Sequence, residues 1–360
     1  MGLRAKELLS EVIDQKFPND GEYTRRFEAE IAKISGSQYA VAVTSCTAAL
    51  FLGLRACGIG LGDEVLVPDL TFIATANAVS LAGAKAVLVD IEEKTLGIDP
   101  SRIEGAITER TKAIIPVHLS GRCALMDELL EIAEKYNLWV IEDAAEALGS
   151  KVNGKPLGSL GDIGCFSFTA NKTITTGQGG VLVMDDPELY ARARALKDHG
   201  RPNRGTGGAD QHLALGYNFK FTNIQAALGL AQIDDLNARL IHSKHLFNLY
   251  KEYLGSDLPL KLIGFDLESG ERPQWIDALT AERDELHDFL LKNGVETRKF
   301  WFPLHTQKPY RDFKNQFPVS DRISQQGIWL PTNMALENQE VRHVCSLILD
   351  WAQKSAVQKM

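Results

Sequence analysis

The chain has 360 residues, 44% of them hydrophobic, and a formal net charge of −8, which is length for two or three domains and apolar material for a full core. The acidic balance argues against nucleic acid or an anionic membrane as the main partner, since either favours a basic face. Five scattered cysteines without a CxxC pair indicate neither a disulfide framework nor a zinc site, so no metal is expected and a reducing cytoplasm is the expected setting.

The opening stretch MGLRAKELLSEVIDQKF alternates charged and apolar residues at helical spacing, unlike the continuous apolar core of a signal peptide. No apolar run approaches the roughly 20 residues of a membrane span. Seven short apolar runs follow: YAVAVTS from Tyr39, EVLVP from Glu64, KAVLVD from Lys85, KAIIPVHL from Lys112, LWVIED from Leu138, GCFSF from Gly164 and GVLVM from Gly180. They lack period-two alternation, which predicts strands covered on both faces. Helical patterns lie between most of them, such as MDELLEIAEKYN with Met126, Leu129, Leu130 and Ile132 on one face. This alternation predicts an α/β domain over residues 1–235, with a mostly parallel seven-stranded sheet between helices. After Thr222 one long helical pattern, NIQAALGLAQIDDLNARLIHSKHLFNLYKEYL, leads away. Short strand candidates (KLIG, WIDALT, ETRKFWF) and two helices (ERDELHDFLLKNG, NQEVRHVCSLILDWAQKSA) then predict a smaller α+β domain over 236–360.

Ligands of such sheets bind at the carboxyl ends of the strands, where three stretches stand out. In TSCTAAL, Ser45 and Thr47 bring hydroxyls and N–H groups to a helix start, which serves either as an anion cradle or as a plain N-cap. Asp143 ends a very apolar strand; it either caps the next turn or meets a cation, such as a protonated pyridine nitrogen. Lys172 lies between FSFTAN and GQGG. A lysine there is a solvated loop charge, or a nucleophile able to form an imine with an aldehyde cofactor and to shuttle a proton. Cradle, strand-end acid and loop lysine in that order favour the chemical readings together. TTGQGG lacks the Lys-Ser/Thr of a P-loop, which sets a nucleotide hydrolase aside.

From about Phe27 onward the chain resembles the sugar aminotransferase (DegT/StrS) family of fold-type I pyridoxal phosphate enzymes. The resemblance is carried by SCTAAL, GDEVLVPDLTFIATANAV, PVHLSGR, VIEDAAEALGS, GSLGDIGCFSFTANKTITTGQGG, GYNFKFTNIQAALGLAQI and TRKFWFPLHT. It implies pyridoxal 5'-phosphate as cofactor, glutamate as amino donor, a keto-sugar nucleotide as acceptor and a homodimer with shared active sites. EDAAEA, NKTITTG and GYNFKFTNIQAA are most similar to the perosamine-forming branch, which aminates C4 of GDP-4-keto-6-deoxymannose; another UDP- or dTDP-linked ketosugar, or a smaller keto compound, is the alternative. Residue by residue, the resemblance implies Lys172 as the cofactor-bearing lysine, Asp143 at the ring nitrogen and Phe72 stacked on the ring. It likewise implies Glu146 near the ring's phenolic oxygen, Thr47, Ala48 and Ser167 at the phosphate, and Asn218 reaching it from the neighbouring subunit. Lys172 also argues against the related sugar dehydratases, which carry histidine there. Cys46 stands where the family usually has Gly, Gln178 where it has Glu, and the usual opening segment is short. His118, Arg201, Arg204, Arg298 and His305 are further candidates for substrate contact, each with a structural or solvated alternative. Trp301 and Phe302 are expected in the core rather than at the ligand.

Overall fold

The seven apolar runs join one sheet. In a computed structural model, which describes residues 2–202, 211–212, 214–256 and 258–358, the strands are β1 (Tyr39–Val43), β2 (Glu64–Pro68), β3 (Lys85–Val89), β4 (Thr111–Ile114), β5 (Trp139–Asp143), β6 (Lys151–Val152), β7 (Lys155–Pro156), β8 (Ile163–Ser167) and β9 (Gly180–Met184). β6 and β7 form a separate small hairpin, and the others are ordered β1-β9-β8-β5-β4-β2-β3. Only β9 runs against its neighbours, pairing antiparallel with both β1 and β8.

The absence of alternation has a direct cause. Ala40 and Ala42 of β1, with Val181 and Val183 of β9, face one apolar layer, while Val41, Val43 and Leu182 face another. Both sides of these two strands are therefore buried, while the edge strand β3 is only half-buried, and full burial of a Val or Leu side chain contributes about 1.5–3 kcal/mol. The first layer is covered by α1 (Leu3–Asp14), α2 (Glu22–Ser35), α6 (Met126–Tyr136) and α8 (Asn223–Ile233), the second by α3 (Cys46–Ala56), α4 (Ala74–Leu81) and α7 (Pro187–Lys197). A single turn, α5 (Pro100–Ile103), links β3 to β4. Phe27 of α2 is fully buried between Phe168 and Phe221.

The remainder builds a second sheet of β10 (Lys261–Leu262), β11 (Ile276–Leu279), β12 (Arg298–Lys299) and β13 (Gly327–Leu330), antiparallel in the order β10-β11-β13-β12. It is accompanied by α9 (Leu236–Leu254), α10 (Arg283–Lys292), α11 (Pro318–Gln326) and α12 (Asn338–Gln358). Two expectations change here. The long helical pattern is two helices, broken at Asp234 and Asp235, neither of which leaves the right-handed helical region, so periodicity runs through the break. The strand β13, absent from the expected set, joins β11 to β12; its four residues GIWL follow a polar helix and are too short to stand out. No helix among the described residues is long and apolar enough to cross a membrane.

Candidate active site

A cavity of about 580 Å³ opens between the carboxyl edge of the large sheet and the β12–β13 side of the small one. On the large-sheet side it is lined by Cys46, Thr47, Phe72, Asp143, Glu146, Ser167 and Lys172, on the other by Arg298, Trp301 and Trp329. That volume suits a cofactor together with part of a substrate.

Ser45 is the N-cap of α3: its Oγ accepts the Ala48 N–H at 3.1 Å, and its carbonyl accepts that of Ala49 at 3.0 Å. Capping is thus real, and it leaves the Cys46 and Thr47 N–H groups at the first turn without an intrahelical acceptor, where the helix dipole favours an anion. Ala48 itself is buried and absent from the cavity lining. Gly180, at the start of β9, explains one glycine of GQGG: a Cβ there meets Ser45 C and O at 2.4 Å and Cys46 N at 2.5 Å. The turn packs against backbone that cannot carry a side chain. Cys46 is buried in the cavity wall, and burial pushes its thiol well above the usual range; the neutral thiol is a poor nucleophile.

Asp143 ends β5 and is 6% exposed. Its Oδ2 accepts from Thr75 Oγ1 at 2.7 Å and its Oδ1 from the Ala145 N–H at 3.2 Å, so it braces the next turn and also faces the cavity. Burial raises its pKa, against the Thr75 and Ala145 hydrogen bonds and the charge of Lys172, which lower it. A cation placed before it would relieve that cost. The preceding residue, Glu142, points the other way and gathers the N–H groups of Gly158, Leu160 and Gly161.

Lys172 has a side chain only 13% exposed, with Nζ 3.1 Å from Glu146 Oε1. Glu146 is held in turn by the Ser120 N–H at 2.8 Å. Phe72, by contrast, is 54% exposed while lining the cavity, an apolar ring presented to a ligand rather than to the core. These groups fit pyridoxal phosphate: an amine for its aldehyde, a buried acid for its ring nitrogen, an aromatic face, and a helix start with Thr47 and Ser167 hydroxyls for its phosphate.

On the opposite wall the Arg298 guanidinium lies 5.1 Å from the centre of the Trp329 ring, and Trp301 packs edge-on to Trp329. The Nε1 atoms of Trp275 and Trp329 are buried without a hydrogen-bond partner among the described residues. Trp301, expected in the core, lines the cavity, while Phe302 is 77% exposed. Sequence reasoning missed Thr75, Ser120, Trp275 and Trp329; only Thr75 had a local signal, as a hydroxyl four residues past Thr71.

Other candidates are located elsewhere. His118 is fully buried, with Nε2 2.7 Å from Glu142 and Nδ1 accepting the Ala124 N–H; both ring nitrogens are used, so it cannot reach a substrate in the cavity. His305 is held by Asp69 at 2.7 Å and stacked on Phe317, away from the lining. Arg201 pairs with Asp198 at 3.0 Å and is likewise not a lining residue. Asn218 is exposed and outside the cavity of its own chain. Arg204 lies outside the described residues.

Sheet, lysine and strand-end acid are what a pyridoxal phosphate enzyme of this fold requires, and the model of the DegT/DnrJ/EryC1/StrS aminotransferase family matches residues 2–349; the chain belongs to that family of pyridoxal phosphate-dependent aminotransferases. Among its relatives, the GDP-perosamine synthase of Escherichia coli O157:H7 is 38% identical over 352 residues, covering 96% of this chain and 94% of the relative. The spore coat polysaccharide biosynthesis protein SpsC of Bacillus subtilis (strain 168) is 43% identical over 361 residues, covering 95% and 92%. The solved structure of the putative sugar aminotransferase Spr1654 from Streptococcus pneumoniae, in its PLP-form, has a TM-score of 0.92 at 27% identity, covering 98% of this chain and 97% of that one.

Proposed function

We propose that the protein transfers the amino group of glutamate to C4 of GDP-4-keto-6-deoxymannose. The observation that carries the chemistry is the Lys172 amine held 3.1 Å from Glu146 in a cavity that also contains buried Asp143. The likeness to a GDP-perosamine synthase supports the choice of sugar. When bound, pyridoxal phosphate supplies an electron sink for charge developing at the amine-bearing carbon.

In this reading Lys172 would bear the cofactor, and its Nζ would hold and move the proton at the reacting carbon. Asp143 would hold the proton on the ring nitrogen, Phe72 would give the ring an apolar face, and Glu146 would stand on the side of its phenolic oxygen. The first turn of α3 with the Thr47 and Ser167 hydroxyls takes the phosphate. Ala48 joins it only if its N–H leaves Ser45 Oγ. Asn218 completes the phosphate site from the second protomer of a homodimer, and Arg298 contributes charge toward the anionic sugar nucleotide. We divide the chain at about residue 235 into a cofactor-binding and a C-terminal domain. The setting we infer is the cytoplasm, where the five free thiols stay reduced. The product is an amino sugar for a surface polysaccharide such as O-antigen, which the polysaccharide role named for the Bacillus relative supports.

The test is an absorbance titration of the holoenzyme. Glutamate is expected to bleach the visible band of the lysine-bound cofactor, and GDP-4-keto-6-deoxymannose to restore it. Bleaching without restoration would remove this sugar and keep the transaminase. Full turnover by Lys172→Ala would remove the mechanism.

A further inference from the structure

The loop that carries Lys172 is gripped by a residue about one hundred positions away. Gln274 Oε1 accepts from the Thr173 N–H at 3.1 Å and from Thr173 Oγ1 at 2.7 Å, while its Nε2 donates to the Asn171 carbonyl at 3.3 Å. One side-chain amide therefore holds the residues on both sides of Lys172. The Gln274 N–H donates to the Ser120 carbonyl at 2.8 Å, the Ser120 N–H donates to Glu146 Oε2 at 2.8 Å, and Glu146 Oε1 accepts from Lys172 Nζ at 3.1 Å. These bonds close a ring that begins and ends at the lysine.

The base of the ring is firmly fixed. Ser120 occupies the left-handed region (φ 55°), and Gly121 beside it (φ 95°) has the Arg272 carbonyl where a Cβ would be. Ser120 Oγ donates to Asp277 Oδ1 at 3.1 Å, and Asp277 pairs with Arg122. Arg122 also donates to the Ile263 and Gly264 carbonyls and lies 3.8 Å from the centre of the Phe265 ring. Ser120, Arg122 and Asp277 are buried, so the bonds among them are shielded from water and count for more than on the surface, while the Gln274 bond to Asn171 is exposed and those to Thr173 are part-buried.

We propose that Gln274 is a positioning residue, which fixes the backbone on both sides of Lys172 so that the amine is presented to the cavity against Glu146. The proposal rests on the reading of Lys172 as the cofactor-bearing lysine. A lysine has four rotatable side-chain bonds, and a loop free to shift by 1 Å loses roughly a hundredfold in rate; the bidentate grip removes that freedom at the backbone.

Two variants of the full chain test it. Gln274→Met keeps length and loses both arms; Gln274→Glu keeps the acceptor for Thr173 and loses the donor to Asn171. The expected result for Gln274→Met is hydrogen exchange at the Thr173 amide faster by roughly tenfold or more, with and without cofactor, while α3 and α8 amides are unchanged. kcat is expected to fall roughly ten- to a hundredfold with KM for the acceptor within about threefold. Gln274→Glu is expected to restore protection at Thr173 but only part of kcat, because the Asn171 side stays unheld. An unchanged Thr173 exchange rate in Gln274→Met, or protection lost equally throughout the protein, would overturn the proposal. Turnover by Lys172→Ala would instead overturn the reading of Lys172, independently of the exchange result.

Discussion

Replacing Gly180 with alanine puts a methyl carbon 2.4 Å from Ser45 C and O and 2.5 Å from Cys46 N, whereas ordinary contacts begin at 3.4 Å. Relief therefore needs a displacement of 3.4 − 2.4 = 1.0 Å between β9 and the turn. β9 cannot yield readily, because Gly180 is registered against Val43 on one side and Ser167 on the other. The turn and the start of α3 must move instead. Overpacking of this kind costs about 1–3 kcal/mol, and a 1 Å shift of a positioning group costs roughly a hundredfold in rate. Pyridoxal phosphate affinity, measured by absorbance titration, is expected to weaken by at least roughly tenfold, the loss expected when phosphate contacts worth about 1.4 kcal/mol are misplaced. Urea unfolding reports the stability cost in the same samples. Gly105→Ala is the control, since a Cβ there has nothing within 4 Å. If Gly180→Ala keeps wild-type affinity and urea midpoint, the cradle does not depend on this close approach and the argument fails.

Three further outcomes are expected. Asp143→Asn removes the counter-charge and is expected to lower kcat by roughly a hundredfold or more while the fold persists, since the asparagine oxygen can still accept the Ala145 N–H and its NH2 can donate to Thr75 Oγ1, whose hydroxyl can turn to the Phe72 carbonyl; single-turnover kinetics and circular dichroism separate the two. Glu64, held by Thr108, Arg110 and Lys85, has its pKa lowered from 4.5 to about 2, so its stabilisation is present above the unfolded value and disappears as pH falls from about 4.5 to 2. Because Arg110 and Lys85 are largely exposed, Glu64→Gln is expected to cost about 2 kcal/mol at pH 7, with the gap in urea unfolding narrowing toward pH 2; a pH-independent gap contradicts it. Arg298→Ala is expected to raise KM for the sugar nucleotide roughly tenfold and leave the glutamate half-reaction unchanged, which stopped-flow bleaching by glutamate alone would check.

The large sheet was legible because strands buried on both faces write themselves as unbroken apolar runs, and all seven appeared where those runs stand. The lysine, the acid and the helix start were legible because each ends or shortly follows a strand, at the edge where such sheets bind ligands. What sequence did not reveal depends on contacts between distant segments. Gln274 sits in RPQWIDALT with nothing to distinguish it from a surface residue, and its partners are 101 and 103 positions away. Nor does PVHLSGR say which way His118 turns; burial against Glu142 decides that. The break between α8 and α9 was hidden because both aspartates stay within helical geometry.

The bond between Thr173 and Gln274 also has a consequence in time. With the partners 101 positions apart, a ribosome adding roughly 5–20 residues per second leaves the lysine loop without its clamp for on the order of 5–20 s after the loop has been made. All seven strands of the large sheet end by Met184, so that sheet can be complete in the nascent chain while the site on its edge is still unset. On the proposed role of Gln274, the lysine loop reaches its clamped geometry only after most of the polypeptide has been made.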